Sequence, residues 1–420
     1  MAVSEQNWAG NYTFTAVQIH RPESIDALRH LVAAAPKIRA IGSRHSFNGI
    51  ADSPGELVDL AALTSDIALD REAMTVTVGA ATSYGALADW LHRRGYALHN
   101  LASLPHITVA GGISTGTHGS GDRNGPLSSA VAGLELVLAD GSLCRVGRGD
   151  EGFDGMVVGL GAFGIVTRVV LTVEPTFDVR QDSFVNLAWD DLLANFEAIS
   201  SAAYSVSIMT KWSNETADRL WLKTRLTADS PSELAISHLG LRAGPPEAVS
   251  VADVAPSPQL TAFGGIPGPW SERLAHFRPD AVPGNIEQIQ SEYMIPRMRL
   301  AEAVTAIRAM AGRVDACLRA AEIRTMAADA FWLSPAYCQD SVGLHFTWHK
   351  RPAEVDAITQ ELEDRLIPLG ARPHWGKVLH ADAATLMPLY PRLAQFRALA
   401  TRYDPSGKFR NAFMDRHVFG

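Results

Sequence analysis

Cysteine is scarce. The 420-residue chain has three, Cys144, Cys317 and Cys338, an odd number with no CxxC pair. That excludes a disulfide framework and argues against a structural zinc site. Long apolar runs are also missing: none approaches the ~18 residues a membrane span needs. Met1 to Gly10 is polar and lacks the basic start and apolar core of a secretory signal. The expectation is a cytoplasmic protein without a membrane partner. The glycosylation-type triplets at 11–13 and 214–216 carry no meaning without export. Basic residues are not in excess. Lys+Arg number 37 against 45 Asp+Glu, a net charge of −8, so no global field draws in nucleic acid. No HExxH, no Walker-type GxxxxGK[ST], no internal repeat and no low-complexity tract occurs. No metal is expected.

Hydrophobic residues make up 47% and charged residues 20%, the composition of a folded chain of two or three domains. The first stretch alternates short helices and strands. Ile25, Leu28, Leu31 and Val32 recur at helical spacing between Pro22 and Pro36, with Glu23 and Asp26 near the start. Lys37 to Ile41, Leu57 to Leu60 and Thr75 to Val78 read as strands. Ser83 to Arg94 reads as a helix closed by Gly95. Leu134, Leu136 and Leu138 alternate into Asp140-Gly141 and then Leu143 to Val146, a hairpin pattern. Ile165 to Val173 is a further strand. After Pro175 the composition shifts, and helices expected over Trp189–Ser200 and Arg299–Arg313 lie between strands such as Leu220–Leu226. Gly244 to Pro283, rich in Gly, Pro and Ala, is expected to be a surface excursion. A second boundary falls near His374, where the chain returns to the first domain.

Two motifs mislead. Gly159-Leu-Gly-Ala-Phe-Gly164 satisfies GxGxxG, but a dinucleotide fold needs a helix after it, and β-branched residues follow. Gly112-Ile-Ser-Thr-Gly116 satisfies GxSxG, but no strong strand leads into it and more glycine follows, so Ser114 is not read as a nucleophile.

Three glycine-dense polar loops carry more weight: 41–49, 103–121 and 159–164. Glycine-flanked backbone N–H groups can turn inward as an anion-binding nest, and glycine lets main chain approach a ligand closely. Three such loops in one domain point to a phosphate-containing cofactor rather than to three unrelated turns. On the second stretch, Glu322 and Arg324 share one face of a strand. His345, Thr347 and His349 share the polar face of another, opposite Val342, Leu344, Phe346 and Trp348. Such residues suit a polyhydroxylated ligand, although a merely solvated sheet face would read the same way.

Ile41-Gly-Ser-Arg-His-Ser-Phe-Asn-Gly49, the 111–121 run with Thr115-Gly-Thr-His118, and Gly161-Ala-Phe-Gly-Ile-Val166 resemble the FAD-binding domain of the vanillyl-alcohol oxidase family. His374-Trp-Gly-Lys377 resembles the His-Trp-Ala-Lys motif of its sugar-lactone and alditol oxidase branch, with Gly376 in place of the usual Ala. Asp404 to Asn411 resembles that branch's C-terminal signature. Ser103-Leu-Pro-His106 and the Glu322/Arg324 pair are similar to its alditol-oxidising members.

The resemblance implies an α+β fold. It has an FAD-binding domain at 1–177, a substrate (cap) domain at 178–373 with a large antiparallel sheet flanked by helices, and a return at 374–420. It implies FAD bound covalently through His45, with His118 as the rival anchor. Gly42, Ser43, Arg44, Ser46, Thr115, Gly116 and Thr117 would surround the pyrophosphate. Ser103, Thr108, Gly111 and Ile165 would line the flavin or its ribityl-adenine arm. No cysteine lies where a second covalent link would need one. The substrate side would comprise Gln290, Glu322, Arg324, His345, Thr347, Lys377 and Ser103. The implied reaction is oxidation of a terminal alditol hydroxyl, as in xylitol or sorbitol, by hydride transfer to flavin N5, with O2 reduced to hydrogen peroxide. Lys377 and Arg324 would stabilise the developing alkoxide, Glu322 would orient Arg324, and His345 or Lys377 would take the proton. The alternatives are a sugar-1,4-lactone oxidase or dehydrogenase of the same family, and a flavin- or sugar-binding protein without turnover. A monomer is expected.

Overall fold

A computed structural model describes residues 5–63, 66–227, 236–244, 259–280 and 288–420. The chain is α+β. In the first part a parallel three-stranded sheet joins Gln18–His20, Glu56–Asp59 and Ile38–Ile41. A five-stranded antiparallel sheet follows, ordered Ala68–Asp70, Thr75–Gly79, Ile165–Thr172, Val131–Val137, Leu143–Gly147. The helix Ile25–Ala34 is capped by Ser24 and buries Leu28 and Val32 against Val137 and Ile165. The helix Tyr84–His92, capped by Ser83, ends at Gly95 with φ +83°.

The second part is dominated by a nine-stranded sheet. Its centre is antiparallel, in the order Arg219–Arg225, Ser205–Thr210, Leu318–Met326, Ser341–His349, Gln288–Pro296. The alternation in Ser341–His349 sorts its two faces. Val342, Leu344, Phe346 and Trp348 are fully buried against the helices, where Phe346 stacks on Trp348 and on Trp212. Burying such side chains contributes roughly 1.5–3 kcal/mol each.

Two expected helices are broken. Trp189–Ser200 forms Trp189–Ala194 and Phe196–Ser200, separated at Asn195, whose backbone leaves helical geometry (φ −118°, ψ 20°). Arg299–Arg313 forms Leu300–Arg308 and Ala311–Cys317, separated where Met310 turns into the core. The expected surface excursion also needs correction. Positions 245–258 and 281–283 of it lie outside the described residues. The part at 259–280 is not superficial: Leu260, Phe263, Trp270, Leu274 and Ala275 are buried.

The C-terminal segment is stitched into the first part. Lys408 Nζ donates to Val32 O (2.5 Å) and Ala139 O (2.7 Å), and Asn411 Nδ2 to Gly49 O (3.0 Å) and Asp52 O (2.7 Å). Arg39, which sequence reasoning passed over, is buried in the same region. Its guanidinium donates to the carbonyls of Ile50, Leu160 and Phe409, tying the first glycine loop, the third and the C-terminal segment to one side chain. The GxGxxG segment leads directly into the strand Ile165–Thr172, and Ser114 closes the short helix Val109–Ser114.

Candidate active site

One cavity of about 430 Å³ runs between the glycine loops and the polar face of the large sheet. Gly42, Ser43, Arg44, His45 and Ser46 line it from the first loop. Ser103, Thr108, Gly111, Thr115, Thr117 and His118 line it from the second, and Gly161 and Gly164 from the third. The loops approach closely because glycine allows it: a Cβ on Gly42 would fall 2.4 Å from Thr108 Oγ1. Two of the residues expected at the cofactor do not line the cavity. Gly116 turns the chain at φ +67°, and a Cβ there would meet Pro335 at 2.6 Å. The Ile165 side chain packs in the cluster with Leu28 and Val32, and Val166 lines the cavity.

The His45 loop is held from both ends. Trp8 N donates to Arg44 O (2.9 Å), and the Arg44 guanidinium pairs with Glu5. Phe47 N donates to Gly376 O (2.8 Å), and Asn48 Nδ2 to Trp375 O (2.8 Å) and Lys377 O (2.7 Å). The His-Trp-Gly-Lys segment is thereby pinned to the first loop. Arg44 itself sits at φ +61°, a strained conformation for a side-chain-bearing residue. The His45 ring lies against Trp8, centroids 4.8 Å apart. Burial, then the neighbouring His106, lowers its pKa to about 4, so its imidazole is neutral in ordinary conditions.

Facing this loop, three paired strands set the opposite wall. Glu292 pairs with His345, and His345 with Glu322, in one row; Gln290 and Thr347 form the next. This is no solvated sheet face: Glu322 and Arg324 are each 5% exposed and Glu292 1%. Glu292, missed in the sequence reading, is the hub. Lys377 Nζ lies 2.5 Å from its Oε2, Arg324 Nη2 2.9 Å from Oε1 and His118 Nε2 3.2 Å from Oε1. Burial opposes ionisation of Glu292, but Lys377, His118 and Arg324 outweigh it and hold the carboxyl well below the usual range. His118, the rival anchor, is thus engaged at the far wall.

Arg324 is oriented chiefly by Glu292 and by Ser103, whose Oγ accepts from Nη1 at 3.1 Å. Glu322 stands 3.5 Å from Arg324 Nε, an ion pair without a hydrogen bond. Its partner is His276, whose Nε2 is 2.8 Å from Glu322 Oε1. Burial works against the Glu322 charge, yet Arg324 and His276 bring its pKa far down. His276 comes from the excursion and is placed by Lys223, a buried lysine that donates to the carbonyls of Arg273, Leu274 and Ala275 at 2.7–2.8 Å. Lys223 Nζ also lies 3.4 Å from His276 Nδ1, which puts the imidazole proton on Nε2, aimed at Glu322. His345 Nε2 meets Gln290 Oε1 at 3.2 Å, which leaves Nδ1 as its lone-pair nitrogen. Burial, then Lys377, holds His345 neutral, and burial lowers the Lys377 pKa while Glu292 offsets part of that.

Gly343 lies between Arg324 and Met294 across the sheet, and a Cβ there would crowd Glu292 Oε1 at 3.2 Å. Its absent side chain leaves room for the Arg324–Glu292 contact. Among the described residues no group of three His, Cys, Asp or Glu could hold a metal ion, and no helix is long and apolar enough to cross a membrane.

The FAD binding domain family matches residues 17–147, and the D-arabinono-1,4-lactone oxidase family matches 281–417. The alditol oxidase of a Streptomyces species is 43% identical over 99% of both chains. The L-gulono-1,4-lactone dehydrogenase of Mycobacterium tuberculosis is 27% identical over 99% of this chain and 98% of that one. Among solved structures, a cholesterol oxidase from B. sterolicum aligns at a TM-score of 0.79 with 16% identity, over 98% of this chain and 96% of its own, a likeness of fold. Fold and cavity define an FAD-dependent oxidoreductase. More narrowly, the chain belongs to the sugar-lactone and alditol oxidase branch of the vanillyl-alcohol oxidase family.

The cavity fits FAD on its own residues. Glycine main chain with the hydroxyls of Ser43, Ser46, Thr115 and Thr117 suits a pyrophosphate. His45, without a hydrogen-bond partner among the described residues, lines the same cavity.

Proposed function

We propose that this protein oxidises the terminal hydroxyl of alditols such as xylitol and sorbitol to the aldose, with FAD held covalently through His45 and hydrogen peroxide as the second product. The observation that carries the reading is the buried Glu322–His345–Glu292 row, with Arg324 and Lys377, facing the His45 loop across one cavity. The row's carboxylates and the His345 Nδ1 accept, and Arg324 and Lys377 beside them donate, a set matched to a chain of hydroxyls. When bound, FAD supplies the hydride acceptor and passes the electrons on to O2.

The protein's residues manage the substrate oxygen. Lys377 uses one N–H on Glu292 and keeps two for the oxygen that loses its proton as the C–H bond breaks. A preorganised donor in such a dry site contributes ~3–4 kcal/mol to stabilising that charge. Arg324 is fixed by Ser103 and Glu292 and adds a second positive group. His345, neutral with Nδ1 free, is the proton acceptor; Lys377, ion-paired as an ammonium, is not. Glu322, held by His276, accepts from a neighbouring hydroxyl, and Ser103 Oγ meets another. A neutral His45 is the form that can add to the flavin 8-methyl carbon, which supports the covalent link.

Anaerobic addition of xylitol or sorbitol should bleach the yellow protein, and readmitted air should restore the colour with one peroxide per aldose. His45→Ala should release its flavin on acid denaturation. A protein bleached by no alditol would end the reading. The match of residues 281–417 to the D-arabinono-1,4-lactone oxidase family favours a second reading, oxidation of a sugar-1,4-lactone. Bleaching by a galactono-lactone but not by xylitol would select it.

A further inference from the structure

Beyond the Glu322–His345–Glu292 row the cavity continues toward the outer end of the sheet, and the strand there is irregular. Leu318 pairs with Trp348 and Ala320 with Thr347, so Arg319 is an extra residue in a β-bulge. The packing shows the same thing: Leu318 and Ala321, three apart, both sit in the apolar cluster on the helix side. Strict alternation would have sent Arg319 to that side with Ala321 and Ile323. The bulge re-aims it, and Arg319 lines the cavity beside Thr347 and Gln288. Gln288 is buried and pairs with His349 on the neighbouring strand, and Gln259 lines the cavity from above.

Charge separates Arg319 from the two cations of the Glu292 network. Lys377 and Arg324 are balanced by Glu292 and Glu322. Half-buried Arg319 has no carboxylate and no hydrogen bond among the described residues. Among the described residues its charge is therefore unbalanced at this end of the cavity. The neighbouring His349 registers the same field: after burial, Arg319, Arg351 and Lys211 push its pKa down. Arg319 precedes Glu322 by three residues, ~10 Å along a strand, the reach of a hexitol-length chain whose first carbon lies in the row.

We propose that Arg319, with Gln288 and Gln259, forms a subsite for an anionic group, a carboxylate or a phosphate, at the end of a polyol remote from the oxidised carbinol. The proposal rests on the alditol reading above and extends its substrate class to aldonates and polyol phosphates. A guanidinium suits both anions because its N–H pairs match two oxygens at once.

The test compares sorbitol, gluconate and sorbitol 6-phosphate on the holoenzyme. Turnover gives KM for each, and isothermal titration of the chemically reduced, oxygen-free holoenzyme, whose flavin can accept no hydride, gives Kd for sorbitol, gluconate and sorbitol 6-phosphate independently of turnover. The wild type should bind at least one anionic compound about five- to tenfold more tightly than sorbitol, less so at high salt. Arg319→Gln should remove that advantage, raising the anion's KM and Kd by the same factor against twofold or less for sorbitol. Arg319→Lys should recover part of it. Preference for gluconate identifies the carboxylate arm, and preference for the 6-phosphate the phosphate arm. Equal affinity for all three compounds, or an equal loss on all three in Arg319→Gln, overturns the proposal. Failure of every alditol to bleach the flavin would overturn the alditol reading instead, and the titration would still decide the subsite.

Discussion

The two walls of the cavity are built on opposite plans. The cofactor wall uses short contiguous loops, 42–46, 108–118 and 161–164, in which main chain and hydroxyls do the contacting. The substrate wall uses side chains scattered from Lys223 to Lys377 and brought together only by strand pairing. A cofactor that never changes can be met by backbone, which tolerates little variation. A substrate face assembled from side chains on a rigid sheet can be re-specified one residue at a time. It must also bury charge, and it does so as a closed network around Glu292 whose members hold one another.

If the comparison holds, substitutions on the two walls have separable effects. The largest is expected at Lys377. Lys377→Met should lower kcat/KM on sorbitol by about 10²–10³-fold and leave bound flavin at one per chain, measured by peroxide assay and absorbance. Equal loss of both would make Lys377 structural. Next is the hub. Glu292→Gln should cut kcat by about 100-fold and destabilise the fold by roughly 3 kcal/mol, because it strands buried cations. The sign of the pH effect follows from a depressed carboxyl: its stabilisation is present above the unfolded carboxyl's pKa and is lost as pH falls toward the folded value. Acid unfolding curves of the wild type should fall more steeply below about pH 4 than those of Glu292→Gln.

A smaller effect is expected at His276. His276→Asn should raise KM for alditols by about tenfold, with kcat less affected and flavin unchanged, since it loosens Glu322 only. A variant that loses flavin instead would move His276 to the other wall. The smallest effect concerns pH on the cofactor side. Because His45 is depressed to about 4, covalent incorporation of FAD into apoprotein should be flat from neutrality to about pH 5 and halve near pH 4. A midpoint near the ordinary imidazole value would contradict the burial seen at His45.

The same contrast explains what was legible in the sequence. The α+β rhythm, the Gly95 helix stop, the Asp140-Gly141 hairpin and the glycine loops are local signals, and each resides in a few adjacent residues. Gly116 and Ile165, which do not line the cavity, depend on non-local geometry. A register shift lies in the strand pair that carries Ile165, near Glu135/Leu136, and no sequence period announces it. Glu292 was legible in part: Gln288, Gln290 and Glu292 alternate on one face of Gln288–Pro296, yet only the pairing with His345 brings Glu292 to the Arg324 guanidinium. His276 had no such signal. Its segment reads as loop by composition, and what makes it part of the wall is Lys223, fifty residues earlier, donating to three of its carbonyls. Arg319 needed the bulge.

The central claim is that the Glu292-centred wall presents an alditol carbinol to FAD. The most direct measurement is the flavin absorption of the oxygen-free holoenzyme as xylitol is added. The account predicts full bleaching in the wild type, and bleaching slowed by at least 100-fold in Lys377→Met at equal flavin content. A wild-type protein that keeps its yellow colour through saturating xylitol and sorbitol would contradict it.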